Sequence, residues 1–122
     1  MLTPILATDD PYEAAAVFVN AGWSLVFRTP ADSGDPLACV ALAGARLMLG
    51  TSLPEFLPAE SRAHKGAGVE FHVTVPDADI DAVYEAHRRH AGSVTELTEQ
   101  PWGERAFHAV LLGYRFLIAA GG

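Results

Sequence analysis

Two stretches of this chain open and close a helix by the same design, and each is flanked by short apolar segments in the same order. That duplication constrains the fold more than any single residue does. In the first stretch Asp10 is placed to cap a helix, Pro11 suits its first turn, and Glu13 completes a D-x-x-E capping box. Ala14, Val17, Phe18 and Ala21 then recur at helical spacing until Gly22 stops the run. In the second stretch Asp77, Asp79 and Asp81 crowd the start, and Ile80, Val83, Tyr84 and His87 form one stripe. Arg88 and Arg89 sit near an end closed by Gly92, a charge order that complements the helix dipole.

The flanking segments read as strands. "PILAT" precedes the first helix, and "WSLVFR", "LACVALA" and "RLMLG" follow it, the last two joined by a tight turn at Ala43–Gly44. "VEFHVTV" precedes the second helix, and "SVTELTE", "ERAFHAV" and "YRFLIA" follow. The order βαβββ therefore occurs twice in one α+β domain of 122 residues: a first module over 1–50, a linker over 51–68 rich in Pro, Gly and charge, and a second module over 69–122.

Composition narrows the function. Fifteen Asp and Glu against eight Lys and Arg give a net charge of −7, and no basic run exceeds Arg88–Arg89, so nucleic acid is not an expected partner. No apolar run approaches the length needed to cross a bilayer, so no membrane partner is expected either. "MLTPILATDD" lacks the basic segment, apolar stretch and cleavage site of a signal peptide, and the lone Cys39 cannot form an internal disulfide. A cytoplasmic protein is expected, with Cys39 buried and inert in its apolar run.

Beyond the order of elements, local strings carry a resemblance. "DPYEAAAVFVNAGWSLVF", "HVTVPDADIDAVYEAHRRHAG", "QPWGERAF" and "GYRFLIA" are similar to segments of the vicinal oxygen chelate superfamily, which holds the glyoxalases, the bleomycin-resistance proteins and the extradiol dioxygenases. The resemblance covers nearly the whole chain. It implies two curved four-stranded sheets forming an open eight-stranded barrel, with a cavity on the concave side and usually a homodimer. One departure stands out: where the family commonly has D-P-x-G before the last strand, this chain has "VLLG" at Val110–Gly113.

In the metal-dependent members four His or Glu side chains, one from each end strand of each half, hold the ion. Counted from the Asp that opens each helix, those positions fall at Leu2, Met48, Glu70 and Leu117, and of these only Glu70 can bind a divalent cation. A shift of one residue does not restore the set, since the neighbours are almost all apolar. The expectation is therefore no metal and no cofactor, with a cluster of Glu70, His72 and His108 as the alternative ligand set. The serines lack a nucleophile-elbow context, and "GAGVEF" precedes a strand rather than the helix a phosphate-binding loop needs.

If the concave face keeps its role, three apolar replacements turn the metal cup into an oily pocket with one acidic wall, the usual form of a small-molecule site. Alternation puts Glu70, His72 and Thr74 on one side of their strand. Glu70 and His72 would supply polarity, Met48 and Leu117 the floor. Trp102, between a Pro and a Gly, either stacks on ligand, as a tryptophan in that turn does in bleomycin-resistance proteins, or closes the barrel or a dimer contact. Arg105 faces an anionic ligand group or pairs with Glu99 or Glu104, and His108 lies on one face or the other of its strand. Phe18, Trp23 and Phe27 read as core and His87 as a structural histidine, whereas His64 and His90 read as exposed. Phe56 and Leu57 in the linker fold over the pocket or dock on a second subunit. These readings point to a metal-independent protein of the bleomycin-resistance type. It would sequester a mostly apolar ligand, cationic or aromatic in character, as in antibiotic resistance. The alternatives are a lyase, isomerase or epimerase using Glu70 and His72 as acid–base groups, and an accessory domain that binds another protein.

Overall fold

The computed structural model describes residues 1–121. Its first half runs β1 (Ile5–Thr8), α1 (Pro11–Asn20), β2 (Ser24–Arg28), β3 (Leu37–Leu42) and β4 (Ala45–Thr51). The second half runs β5 (Glu70–Val75), α2 (Ile80–His90), β6 (Ser93–Val94), β7 (Thr98–Glu99), β8 (Arg105–Leu111) and β9 (Tyr114–Ala120). Strands β1-β4-β3-β2 form one sheet and β5-β9-β8-β6 the other, with β7 also paired to β8. In each half the strand before the helix lies parallel to the last strand, and the remaining pairs are antiparallel. The duplicated order seen in the sequence is thus a duplicated topology.

Local chemistry explains the element ends. The Asp10 carboxylate accepts from the Tyr12 and Glu13 amides, Pro11 occupies the first turn, and Gly22 ends α1 with a φ of 107°. The start of α2 differs: a 3-10 turn over Asp77–Asp79 leads into it, and Asp79 makes no side-chain cap. Its end differs too. Extended Ala91 stops the helix, while the Gly92 amide donates to the Val110 carbonyl. Both hairpins have two-residue turns with positive φ throughout, Ala43–Gly44 at 50° and 87° and Leu112–Gly113 at 54° and 84°, the signs a primed hairpin turn needs. "VLLG" therefore makes a tight hairpin, with Leu111 opposite Tyr114.

The expected sixth strand is broken in two, which raises the count to nine. Between β6 and β7 the Thr95 amide donates to the His108 carbonyl, but the Thr95 hydroxyl, not a backbone carbonyl, accepts from the His108 amide. A side chain has replaced one rung of the ladder, and the strand bulges there.

One core joins the halves. Leu47 and Leu49 of β4, Phe18 of α1, and Phe107, Phe116 and Ile118 of the second sheet belong to a single buried cluster. Phe116 packs edge-on against Phe18 and Trp23, and Trp23 donates its indole N–H to Nε2 of His87 at 3.0 Å. Phe27, expected in the core, is 39% exposed: β2 is an outer strand and all five of its residues face solvent to some degree. The linker contains a 3-10 turn over Ala59–His64 and presses close to the β8–β9 hairpin. A Cβ on Gly66 would lie 2.1 Å from the Gly113 carbonyl oxygen, so Gly66→Ala is expected to destabilise the chain by about 1–3 kcal/mol in urea unfolding.

Candidate functional site

Burial alternates along the inner strands and sorts their side chains between two faces. In β9, Phe116 and Ile118 are buried while Arg115 is exposed and Leu117 half-buried; in β5, Val73 and Val75 are buried while Glu70, His72 and Thr74 are exposed. The face away from the buried core carries the polar groups. Across it His72, Leu117 and His108 form one row, because β9 pairs with β5 and β8 at that position. One step along, Arg115 Nε donates to Glu70 Oε2 at 2.5 Å, and His108 Nε2 stands 3.7 Å from Glu70 Oε1.

Of the seven residues singled out in the sequence, four are therefore brought together: Glu70, His72, His108 and Leu117. Met48 lies in the other sheet, beside Ile5 and Cys39. Trp102 is 55% exposed at the tip of the β7–β8 hairpin, where the Gly103 amide closes a turn on the Gln100 carbonyl. Arg105 shares the parity of buried Phe107, opposite to His108, and its partner is neither Glu99 nor Glu104. Its guanidinium forks onto Asp81 at 2.8 and 3.3 Å, a pair that holds the Asp81 carboxyl below its ordinary pKa. His87 is buried and doubly hydrogen-bonded, a structural residue, and His64 and His90 are exposed.

Arg115 went unnoticed in the sequence, although it stands two residues before Leu117 and parity alone puts both on one face. Its pairing with Glu70 has a consequence for ligand chemistry. The acidic wall that would attract a cation already holds a guanidinium.

Strand pairing shows what lies beside the positions that the resemblance associates with an ion. Leu2 precedes β1 and is 91% exposed; the β1 residue beside Met48 is Ile5, and the β5 residue beside Leu117 is His72. Ile5, Met48 and Leu117 offer a divalent cation no suitable donor, so these corners do not fit the metal that the resemblance associates with the fold. Among the described residues, no group of three or more His, Cys, Asp or Glu side chains is arranged to hold an ion.

Grooves follow the seam between the halves. One of about 600 Å³ is bounded by the segment before β1, by Arg46 and Leu47 of β4, and by Phe71, His72 and Val73 of β5. A smaller one of about 190 Å³ is bordered by Ile5, Phe56, Leu57, Val69, Phe71 and Tyr114, with Phe56 still 77% exposed. Tyr114 pins that seam by donating its hydroxyl to the Ala7 carbonyl at 2.7 Å.

No family model matches the chain, and no curated protein does. Solved structures match over its full length. A member of the glyoxalase/bleomycin resistance protein/dioxygenase superfamily from Sphaerobacter thermophilus is 21% identical, with 98% of this chain and 94% of that one covered at a TM-score of 0.66. The chain has the vicinal oxygen chelate fold. A second structure of that fold, a bleomycin-binding protein complexed with bleomycin, is 17% identical, with 100% and 98% covered and a TM-score of 0.64. A third is the fosfomycin resistance protein FosX from Listeria monocytogenes, complexed with manganese(II) and a dihydroxypropylphosphonic acid. It is 12% identical, with 100% and 92% covered and a TM-score of 0.71. The vicinal oxygen chelate fold thus accommodates a bound antibiotic in one protein, and manganese with an organic acid in another. No helix among the described residues is long and apolar enough to cross a membrane.

Proposed function

We propose that this chain binds a small organic molecule non-covalently and without a metal ion, in the manner of a bleomycin-binding protein, and acts by sequestering it. The observation that carries this reading is the chemistry of the positions that the resemblance associates with an ion: Leu2, Met48 and Leu117 offer no donor, and neither does Ile5, which pairs with Met48. What remains is a polar row of His72 and His108 around Leu117, with Glu70 and Arg115 mutually neutralised beside it, and an apolar groove along the seam. A few directional polar groups against apolar walls are what a ligand pocket requires. A homodimer completes the reading. Leu25, Val26 and Phe27 on outer strand β2, with Ile5 and Phe56 at the seam, offer exposed apolar surface for a second copy, and the groove would then be lined by both subunits.

Isothermal titration with bleomycin-class and other aromatic antibiotics tests the proposal. Saturable heat, unchanged by a chelator and weakened about tenfold in His72→Ala, is the expected outcome. A folded protein that gives no heat with any of them counts against sequestration. Elemental analysis returning one zinc, nickel, iron or manganese per subunit counts against the metal-free reading.

A further inference from the structure

The internal repeat makes Arg46 the counterpart of Arg115. Each stands one residue inside its strand after a two-residue turn, and each lies two residues before a residue paired with the parallel strand, Met48 beside Ile5 and Leu117 beside His72. In the second half the residue two before His72 is Glu70, which neutralises Arg115. In the first half the residue two before Ile5 is Thr3, which has no charge to offer. Arg46 has no carboxylate within ion-pair distance among the described residues. Three of the other basic side chains pair with Glu85, Asp81 and Glu70, and Arg28 and Lys65 lie over the Tyr12 and Tyr114 rings.

Arg46, Thr3 and His72 all line the groove of about 600 Å³. The His72 imidazole likewise has no hydrogen-bond partner among the described residues. The remaining walls include Pro4, Leu47 and Phe71. A guanidinium without a carboxylate partner and an imidazole on the lining of one groove with apolar walls supply the donors of a receptor for an anion attached to an apolar body. The volume is in the range that holds a drug-sized molecule.

We propose that this groove binds an aromatic or aliphatic organic carboxylate, whose charged end takes the place beside Arg46 that Glu70 takes beside Arg115. The inference rests on the small-molecule-binding reading above and names its ligand class: an anion with an apolar body. The excess of acidic residues, a net charge of −7, makes such a preference diagnostic, since the field of the whole protein repels anions.

Three probes of one shape separate the terms: 1-naphthoate, 1-naphthamide and 1-naphthylmethylammonium, each titrated into the full chain and followed by calorimetry and by backbone amide shifts. Naphthoate is expected to bind at least about tenfold more tightly than the amide, with shifts at Thr3, Arg46 and His72. Arg46→Gln is expected to remove that preference, and Arg89→Gln, on the exposed face of α2 away from the groove, to leave it in place. Thr3→Glu supplies the missing carboxylate from within and is expected to abolish naphthoate binding with an unchanged urea midpoint. Equal binding of acid and amide, tightest binding of the ammonium, or indifference to Arg46→Gln overturns the anion assignment and leaves small-molecule binding standing. Failure of all three probes overturns the groove as a site, and the reading above then stands or falls on its own antibiotic titration.

Discussion

Phe116→Ala is expected to lower the stability of the chain by about 3–5 kcal/mol, the usual cost of removing a fully buried aromatic ring. A domain of this size is stable by only about 5–15 kcal/mol, so the variant sits near the limit of folding. The reason lies in where the ring stands. Phe116 comes from β9 and has no exposed surface. Its centroid lies 5.8 Å from Phe18 and 5.5 Å from Trp23 in the first half, and 5.4 Å from Phe71 in its own. Few side chains join the two halves so directly, and deleting it leaves a cavity walled by rings that cannot collapse without moving a helix. Urea unfolding should show a much lower midpoint for Phe116→Ala and a smaller drop for Phe116→Leu, which refills part of the volume. An alanine variant within 1 kcal/mol of the parent would mean that the halves are held together elsewhere.

Acid is expected to loosen the same junction through His87. The imidazole has no exposed surface, and both its nitrogens are used: Nδ1–H donates to the Val83 carbonyl at 2.8 Å and Nε2 accepts from the Trp23 indole at 3.0 Å. That arrangement needs the neutral ring, because a second proton would sit on the lone pair Trp23 addresses. Burial, chiefly, holds the His87 pKa below its ordinary 6.5, while the Val83 hydrogen bond acts in the opposite sense. Between the ordinary value and the depressed one the unfolded chain binds more protons than the folded chain. His87 therefore contributes its full stability above about pH 6.5 and loses it as the pH falls through the folded-state value.

Urea midpoints taken at pH 8, 6 and 5 should fall more steeply for the parent than for His87→Gln, which keeps a polar group there without titrating. Parallel curves for the two would remove His87 from the pH dependence. Trp23→Phe keeps a ring in the core but leaves Nε2 unpaired. It is expected to cost about 1–3 kcal/mol at pH 8, read from the same unfolding curves.

These two junctions show where the reach of the sequence ends. The helix starts, the strand segments and the duplicated order were legible in the chain because each rests on residues within a few positions of one another. Asp10 caps through its neighbours' amides, and Val73 and His72 take opposite faces by the pleat alone. The turn at Ala43–Gly44 was legible for the same reason, and the tight turn at Leu112–Gly113 follows the same rule even though the expected D-P-x-G is absent. His87 on the helix stripe was rightly read as structural, but its partner Trp23, 64 residues away, was not readable from any local pattern.

The candidate site divides along the same line. Alternation was enough to put Glu70 and His72 on one side of their strand. Whether His108 joined them depended on how β8 pairs with β9, and that pairing puts Arg105 on the other side, against Asp81. Glu70 read as a free acid because its partner Arg115 is 45 residues distant, and Phe27 read as core because nothing local marks β2 as an outer strand. Capping, turn geometry and side-chain alternation are settled by short-range sterics and hydrogen bonding, which the order of residues alone dictates. Which charges neutralise one another, which strand is left at an edge and which groups share a groove are settled only when distant segments pack, because those energies belong to pairs that the chain brings together by folding.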